Sequence, residues 1–166
     1  MFYAQHTYAK IIYPIEPNHR SRHLLETNIR ANLATRAKIA MDHLGVAAGA
    51  KTGNVKILDG SINNLGAAKV VDAPVVEGGT VPIRPLDNFE IEGTISFIKI
   101  DVEGMELEVL AGAKLLLHKH RPAIAIEVLD KNDKQLWEWA KSEKYKIIGS
   151  FVEYQRFKNY ILIPAY

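Results

Sequence analysis

Residues 95–110 read ISFIKIDVEGMELEVL, and this stretch decides the fold. A run rich in Ile and Phe, with the continuous apolar character of a strand covered on both faces, ends abruptly at Asp101. Asp101-Val-Glu103-Gly104 follows, and then apolar residues recur with helical spacing (Leu107, Leu110 and Leu117, with Val109, Ala113 and Leu116 beside them), predicting a helix over 104–119. Arg121-Pro122 ends it, and AIAIEV (123–128) is the next strand. Strand, helix and strand in this order form a βαβ unit, with parallel strands and a right-handed crossover.

Working outward, a helix is expected over 132–143, with Trp137, Trp139 and Ala140 among its apolar positions. Two strand-like runs follow, Tyr145–Val152 and Phe157–Ile163, separated only by Glu153 to Arg156. So short a link cannot hold a crossover, so the pair is expected as an antiparallel hairpin. Upstream, KIIYPI (10–15) reads as a strand stopping at Glu16-Pro17-Asn18, and a helix capped by Asn18 runs to about Leu33 on a stripe of Leu24, Leu25, Ile29 and Leu33. Short strands are expected near 38–41, 54–58 and Thr80–Ile83, with Pro82 confining the last to an edge or an end. Residues 59–79, punctuated by Gly, Pro and Asn, read as a functional loop.

The bulk numbers set limits. A chain of 166 residues is expected as one domain burying roughly two-thirds of its unfolded surface. Its 21 basic and 19 acidic residues give a net charge of +2, with no basic stripe to make nucleic acid the default partner. Cysteine is absent, which removes disulfides, thiolate metal sites and cysteine nucleophiles and suits a reducing compartment. No apolar run has the length to span a bilayer, so no membrane partner and a cytoplasmic location are expected. His6, His19, His23 and His43 show no ligand spacing, His118 and His120 read as solvated at a helix end, and no metal is expected.

In open α/β sheets ligands bind outside the carboxyl ends of the strands. Three predicted strands end in acids: Glu16, Asp101 and Glu127. Asp101 and Glu103 are two apart and share a side if the strand continues. Two readings stand. For a lone D-x-E-G, capping and a favourable place at the positive end of the helix, worth roughly 0.3–1 kcal/mol each, has the stronger claim. Glu16 could likewise be a turn residue, and Glu127 could meet a lysine across the sheet. Three acids on strand tips of one sheet shift the balance towards a site.

The order of these pieces resembles the FkbM family of S-adenosylmethionine-dependent methyltransferases. IKIDVEGMELEVLAGAKLLL (98–117) and RPAIAIEV (121–128) carry the resemblance. YPIEPN (13–18), VAAGAKTGNVKI (46–57) and VPIRPLDNF (81–89) are similar to family segments in the same order. The resemblance implies a Rossmann-like class I methyltransferase sheet, mostly parallel, with a C-terminal antiparallel hairpin. It implies S-adenosylmethionine as cofactor and methyl transfer to a hydroxyl of a small-molecule or glycan acceptor. On that reading Glu16 and Asn18 bind the cofactor, Glu16 accepting from its ribose hydroxyls. Asp101 and Glu103 lie at the catalytic edge, Asp101 facing the cofactor as well. Asn63, Asn64 and Glu127 are candidates for the acceptor, ordinary turn asparagines being the competing account of the first two.

In one respect the chain departs from the family. The strand ending in a glycine-rich D-x-G-x-N-x-G turn, which opens the domain, has no counterpart here. The expectation is a domain, 1–166, that begins one strand late, with the first strand missing. Leaving that slot empty would strand buried backbone groups at roughly 1–3 kcal/mol each. So the neighbouring strands close up, residues 1–9 fill the gap, or another chain of a homo-oligomer supplies the strand. Two further readings compete: a non-catalytic remnant or binding module with the same fold, and a nucleotide- or NAD-binding Rossmann domain. The lack of G-x-G-x-x-G counts against the last, because phosphates need that backbone cradle.

Overall fold

The computed structural model describes residues 9–32, 38–58, 69–72, 79–154 and 156–165, the side chains of 58, 69–72, 153 and 154 excepted. By internal contacts the chain divides into two compact units, Met1–Ala48 with Thr52–Arg84 and Gly49–Lys51 with Pro85–Tyr166. Each carries a four-stranded mixed sheet.

In the first unit, helix α1 (His19–Ala31) begins where the sequence places it. Asn18 Oδ1 accepts from the N–H groups of Arg20 (2.9 Å) and Ser21 (3.2 Å), supplying partners that the first helical turn lacks. The expected stripe is narrower: Ile29 is buried, Leu24 is exposed, and Leu33 lies outside the described residues. The sheet is built from β1 (Ala47–Ala48), β2 (Gly53–Leu58), β3 (Lys69–Asp72) and β4 (Thr80–Arg84), in the order β1-β4-β2-β3. Only β1 and β4 run parallel, while β2 pairs antiparallel with both β3 and β4.

Two expectations need correction here. Among the described residues KIIYPI forms no strand, and Ile12 makes an isolated parallel bridge to Ile39. Pro14 offers no N–H with which a ladder could continue. Pro82 lies within a strand that has neighbours on both sides, yet β1 reaches only Ile83 and Arg84. Locally, Pro82 therefore has β2 on one flank alone, where its missing N–H is tolerated.

In the second unit, β5 (Phe97–Ile100) leads through the D-x-E-G tip into α2 (Glu106–Ala111) and α3 (Lys114–His120). Strand β6 (Ala123–Leu129), helix α4 (Asp133–Ser142) and the hairpin of β7 (Tyr145–Tyr154) and β8 (Phe157–Pro164) complete it. The βαβ unit and the hairpin are as the sequence predicts: β5 and β6 are parallel, and β7 and β8 antiparallel. The order is β5-β6-β8-β7, so β8 inserts between β6 and its hairpin partner, antiparallel to both.

A mostly parallel sheet is therefore not what forms. Both sheets are mixed, each with a single parallel pair, because adjacent parallel strands need a long covered crossover and only β5 and β6 are consecutive strands joined by one. Nor is β5 covered on both faces: Ile100 is buried while Phe97 is 44% exposed, as suits an edge strand with one face on the core. Of residues 1–9, one candidate for filling the gap, 1–8 lie outside the described residues.

The single helix expected over 104–119 is broken at Gly112-Ala113. Gly112 packs directly on the backbone of Gly49 and Pro85, and its carbonyl accepts from Asp87 N–H (2.9 Å). Asp87 in turn caps the second segment, its carboxylate oxygens accepting from Leu115 N–H (3.0 Å) and Leu116 N–H (2.8 Å). The buried core of this unit comprises Val109, Leu110, Leu116 and Leu117 of these helices, Ile124, Ile126, Val128 and Leu162 of the sheet, and Leu136 and Ala140 of α4. No helix among the described residues is long and apolar enough to cross a membrane.

Candidate active site

Strand β6 alternates strictly, burying Ile124, Ile126 and Val128 and turning Glu127 to the other face. The parallel register pairs Ile100 with Ile126, so one residue further on Asp101 comes beside Glu127. On the other flank Glu127 pairs with Asn159 of β8. The register thus aligns a polar row across three strands.

Asp101, Glu103 and Glu127 gather there, with one oxygen from each within 4.8 Å of the others. Asn159, itself buried, donates from Nδ2 to Glu127 Oε1 at 3.1 Å. Lys99, two residues back on the same face of β5, holds Asp101 Oδ2 at 3.1 Å. Burial pushes the Glu127 pKa up, and the negative charge of Asp101 raises it further; a proton held on Glu127 hydrogen-bonds to Asp101. The bond from Asn159 and the charge of Lys99 pull the other way. Glu127 thus holds a proton more readily than an isolated glutamate would. Carboxylates gathered this way are common without a cation.

The tip itself is conformationally unusual. Glu103 has φ +50° and Gly104 φ +107°, both in the region that favours glycine. For Glu103 that conformation costs about 1–2 kcal/mol, which the surrounding contacts must offset. Capping by Asp101 and Glu103 is the competing account of this tip. Helix α2 starts after Met105 with no side-chain cap, and Glu106 is the acid that turns back, accepting from Gly104 N–H at 2.6 Å.

In the other unit, Glu16 Oε1 accepts from Asn18 N–H at 2.8 Å, and the Glu16 carbonyl accepts from Gly45 N–H at 2.9 Å. Burial raises the Glu16 pKa, opposed by the bond from Asn18. Asn18 is buried and uses its side-chain oxygen to cap α1. A cavity of about 330 Å³ lies beside this turn, lined by Pro17 and His19 with Lys56, Ile57, Thr80 and Val81 among others. Asn63 and Asn64 lie outside the described residues.

Of the predicted site residues, the structure brings Asp101, Glu103 and Glu127 together. Sequence reasoning missed Asn159, Lys99 and Glu106. The i, i+2 spacing of Lys99 and Asp101 was a usable signal. Asn159 and Glu106 had none, since a strand asparagine and an acid in a first helical turn are ordinary.

The fold and site define an α/β protein with acidic side chains gathered at the end of a parallel strand pair. The family profile of the methyltransferase FkbM domain matches residues 1–160, and the chain belongs to that family. The crystal structure of methyltransferase FkbM from Methylobacillus flagellatus KT is similar in fold, with a TM-score of 0.64 and 23% sequence identity. The match covers 93% of this chain and 36% of that one, so this chain spans little more than a third of that protein's length. A comparison with curated proteins gives no match.

Proposed function

We propose that the protein transfers a methyl group from S-adenosylmethionine to a hydroxyl of a sugar or another small metabolite, with Asp101 as the general base. The observation that carries this reading is the close approach of Asp101 and Glu127 at the strand tips, in a chain of the FkbM methyltransferase family. S-adenosylmethionine supplies a methyl group on a sulfonium, which leaves as the thioether when the carbon–oxygen bond forms. An alcohol is a poor nucleophile until it loses its proton, and a placed carboxylate contributes about 10²–10⁴-fold by taking it. Asp101 takes the proton, and Glu127, fixed by Asn159, orients the acceptor oxygen. Lys99 steadies the Asp101 carboxylate meanwhile.

The residues around Glu16 suit the cofactor. One carboxylate oxygen is fixed by Asn18 N–H, which aims the other to accept from a ribose hydroxyl, and a carboxylate is an acceptor-only group well matched to two O–H donors. The adjoining cavity at Pro17 and His19 offers an apolar and polar lining for the base. Calorimetric titration with S-adenosylmethionine tests this half of the reading. Micromolar binding that Glu16→Gln weakens is expected, followed by transfer of labelled methyl to a panel of sugars and small alcohols. Millimolar or absent binding would instead favour a binding module of the same fold.

A further inference from the structure

The D-x-E-G tip is held from beneath by Glu106, in the first turn of α2. Its side chain is fully buried, at 0% exposure. Oε1 accepts from Gly104 N–H at 2.6 Å, and Oε2 accepts from Asn132 Nδ2 at 3.2 Å. Gly104 belongs to the loop that leaves β5, and Asn132 to the short 3-10 turn (Asp130–Asn132) that leaves β6. One carboxylate therefore joins the two chain segments that emerge beside Asp101 and Glu127. A carboxylate so deeply buried persists only where hydrogen bonds replace its hydration, so both bonds are integral to the local structure.

The bond to Gly104 has a second consequence. Glu103 and Gly104 occupy left-handed backbone conformations, and a loop in that state relaxes unless its neighbours over-determine it. The Gly104 N–H is where Glu106 takes hold. Beyond it, Leu129 Cδ1 stands 2.9 Å from where a Gly104 Cβ would be, so β6 closes the loop from the other side. The carboxylate and the leucine together leave the tip one path into α2.

We propose that Glu106 is the positioning residue of this site: it clamps the loop after β5 to the turn after β6 and so sets the spacing of Asp101 and Glu127. Its effect on catalysis rests on the methyl-transfer reading; the clamp itself rests on the two hydrogen bonds. With the clamp in place the acids stay close enough to share a proton. Without it the strained tip relaxes and the carboxyl groups separate, although the β5–β6 ladder ends before either loop and remains paired.

The test reads the acid pair directly and needs neither cofactor nor acceptor. Carboxyl-labelled protein is titrated by ¹³C NMR, following Glu127, with circular dichroism reporting the fold. Glu106→Leu keeps the volume and removes both acceptors. Its Glu127 midpoint should drop from the raised value towards that of an ordinary glutamate, because the charge of Asp101 and the burial both recede. Glu106→Gln should restore most of the shift, since its amide oxygen still accepts from Gly104 and its NH₂ can donate to a turned Asn132. A folded Glu106→Leu protein with the parent's Glu127 titration would overturn the proposal. Should that variant fail to fold, Asn132→Ala removes only the second bond. A smaller downward shift is then expected, and an unchanged titration is equally fatal. Because the readout ignores turnover, failure of the methyl-transfer reading shows up separately, as absent S-adenosylmethionine binding with the titration shifts intact.

Discussion

Asn159 donates a hydrogen bond to Glu127 at 3.1 Å, from the position directly opposite it in the β6–β8 ladder. The bond favours the ionised carboxylate, against the burial and the Asp101 charge that favour the protonated one. Asn159→Ala should therefore raise the Glu127 midpoint further. It should also cost about 1–2 kcal/mol at neutral pH, measured by urea unfolding, because the half-buried carboxylate loses its donor. A midpoint that falls instead would mean that Asn159 does not stabilise the charged form.

The pH dependence of stability follows from the same pair. Glu127 and Glu16 both have pKa values raised in the folded state, chiefly by burial. Below the ordinary glutamate value of about 4.3 both groups are protonated whether folded or not. As pH rises above it, the unfolded chain releases these protons first, so stability falls until the raised folded values are passed. Glu127→Gln keeps an oxygen for Asn159 to donate to and should remove its share of that slope. Adding Glu16→Gln should remove another share, and unfolding curves collected from acid to neutral pH would register both.

Asp101→Asn keeps size and polarity and removes the base. Under the proposed reaction it should lower kcat by about 10²–10⁴-fold, read in a methyl-transfer assay. Full activity in this variant would rule out Asp101 as the proton acceptor.

Asp87 caps α3 from a distant part of the sequence, satisfying two N–H groups at once. Asp87→Ala should destabilise the protein by about 1–2 kcal/mol, with no change in Glu127 titration, because the cap touches neither strand tip. Thermal unfolding together with the NMR titration separates the two effects.

Gly112→Ala is expected to be worse. The new methyl would run into Gly49 O, with Pro85 Cα only 3.0 Å away, and backbone cannot swing aside as a side chain can. A loss of about 3 kcal/mol is expected, and denaturant unfolding should show the midpoint shift.

Much of the chain's local structure was legible from its residues. Asn18 before a helical run, Arg121-Pro122 after one, and two β-branched runs joined by four residues each specify an element through contacts close in sequence. The family was legible too, through residues 98–117. The acids at the strand tips could be named, but their pairing could not. Asp101 meets Glu127 through the register of β5 on β6, and a one-residue slip would send either side chain to the opposite face.

What the tertiary structure alone decided are relationships between segments far apart in the chain. The helix over 104–119 is periodic throughout, yet it breaks at Gly112 because the Gly49 and Pro85 backbones pack against it and Asp87 restarts it. KIIYPI has strand composition but makes a single bridge, and the expected mostly parallel sheet becomes two mixed ones. Glu106 looks from sequence like any acid favoured by a helix N-terminus, and only folding buries it between Gly104 and Asn132. Periodicity and capping act over a few residues and can be read directly. Register, burial and the partners of a buried charge depend on which distant segments meet, and no single segment encodes that.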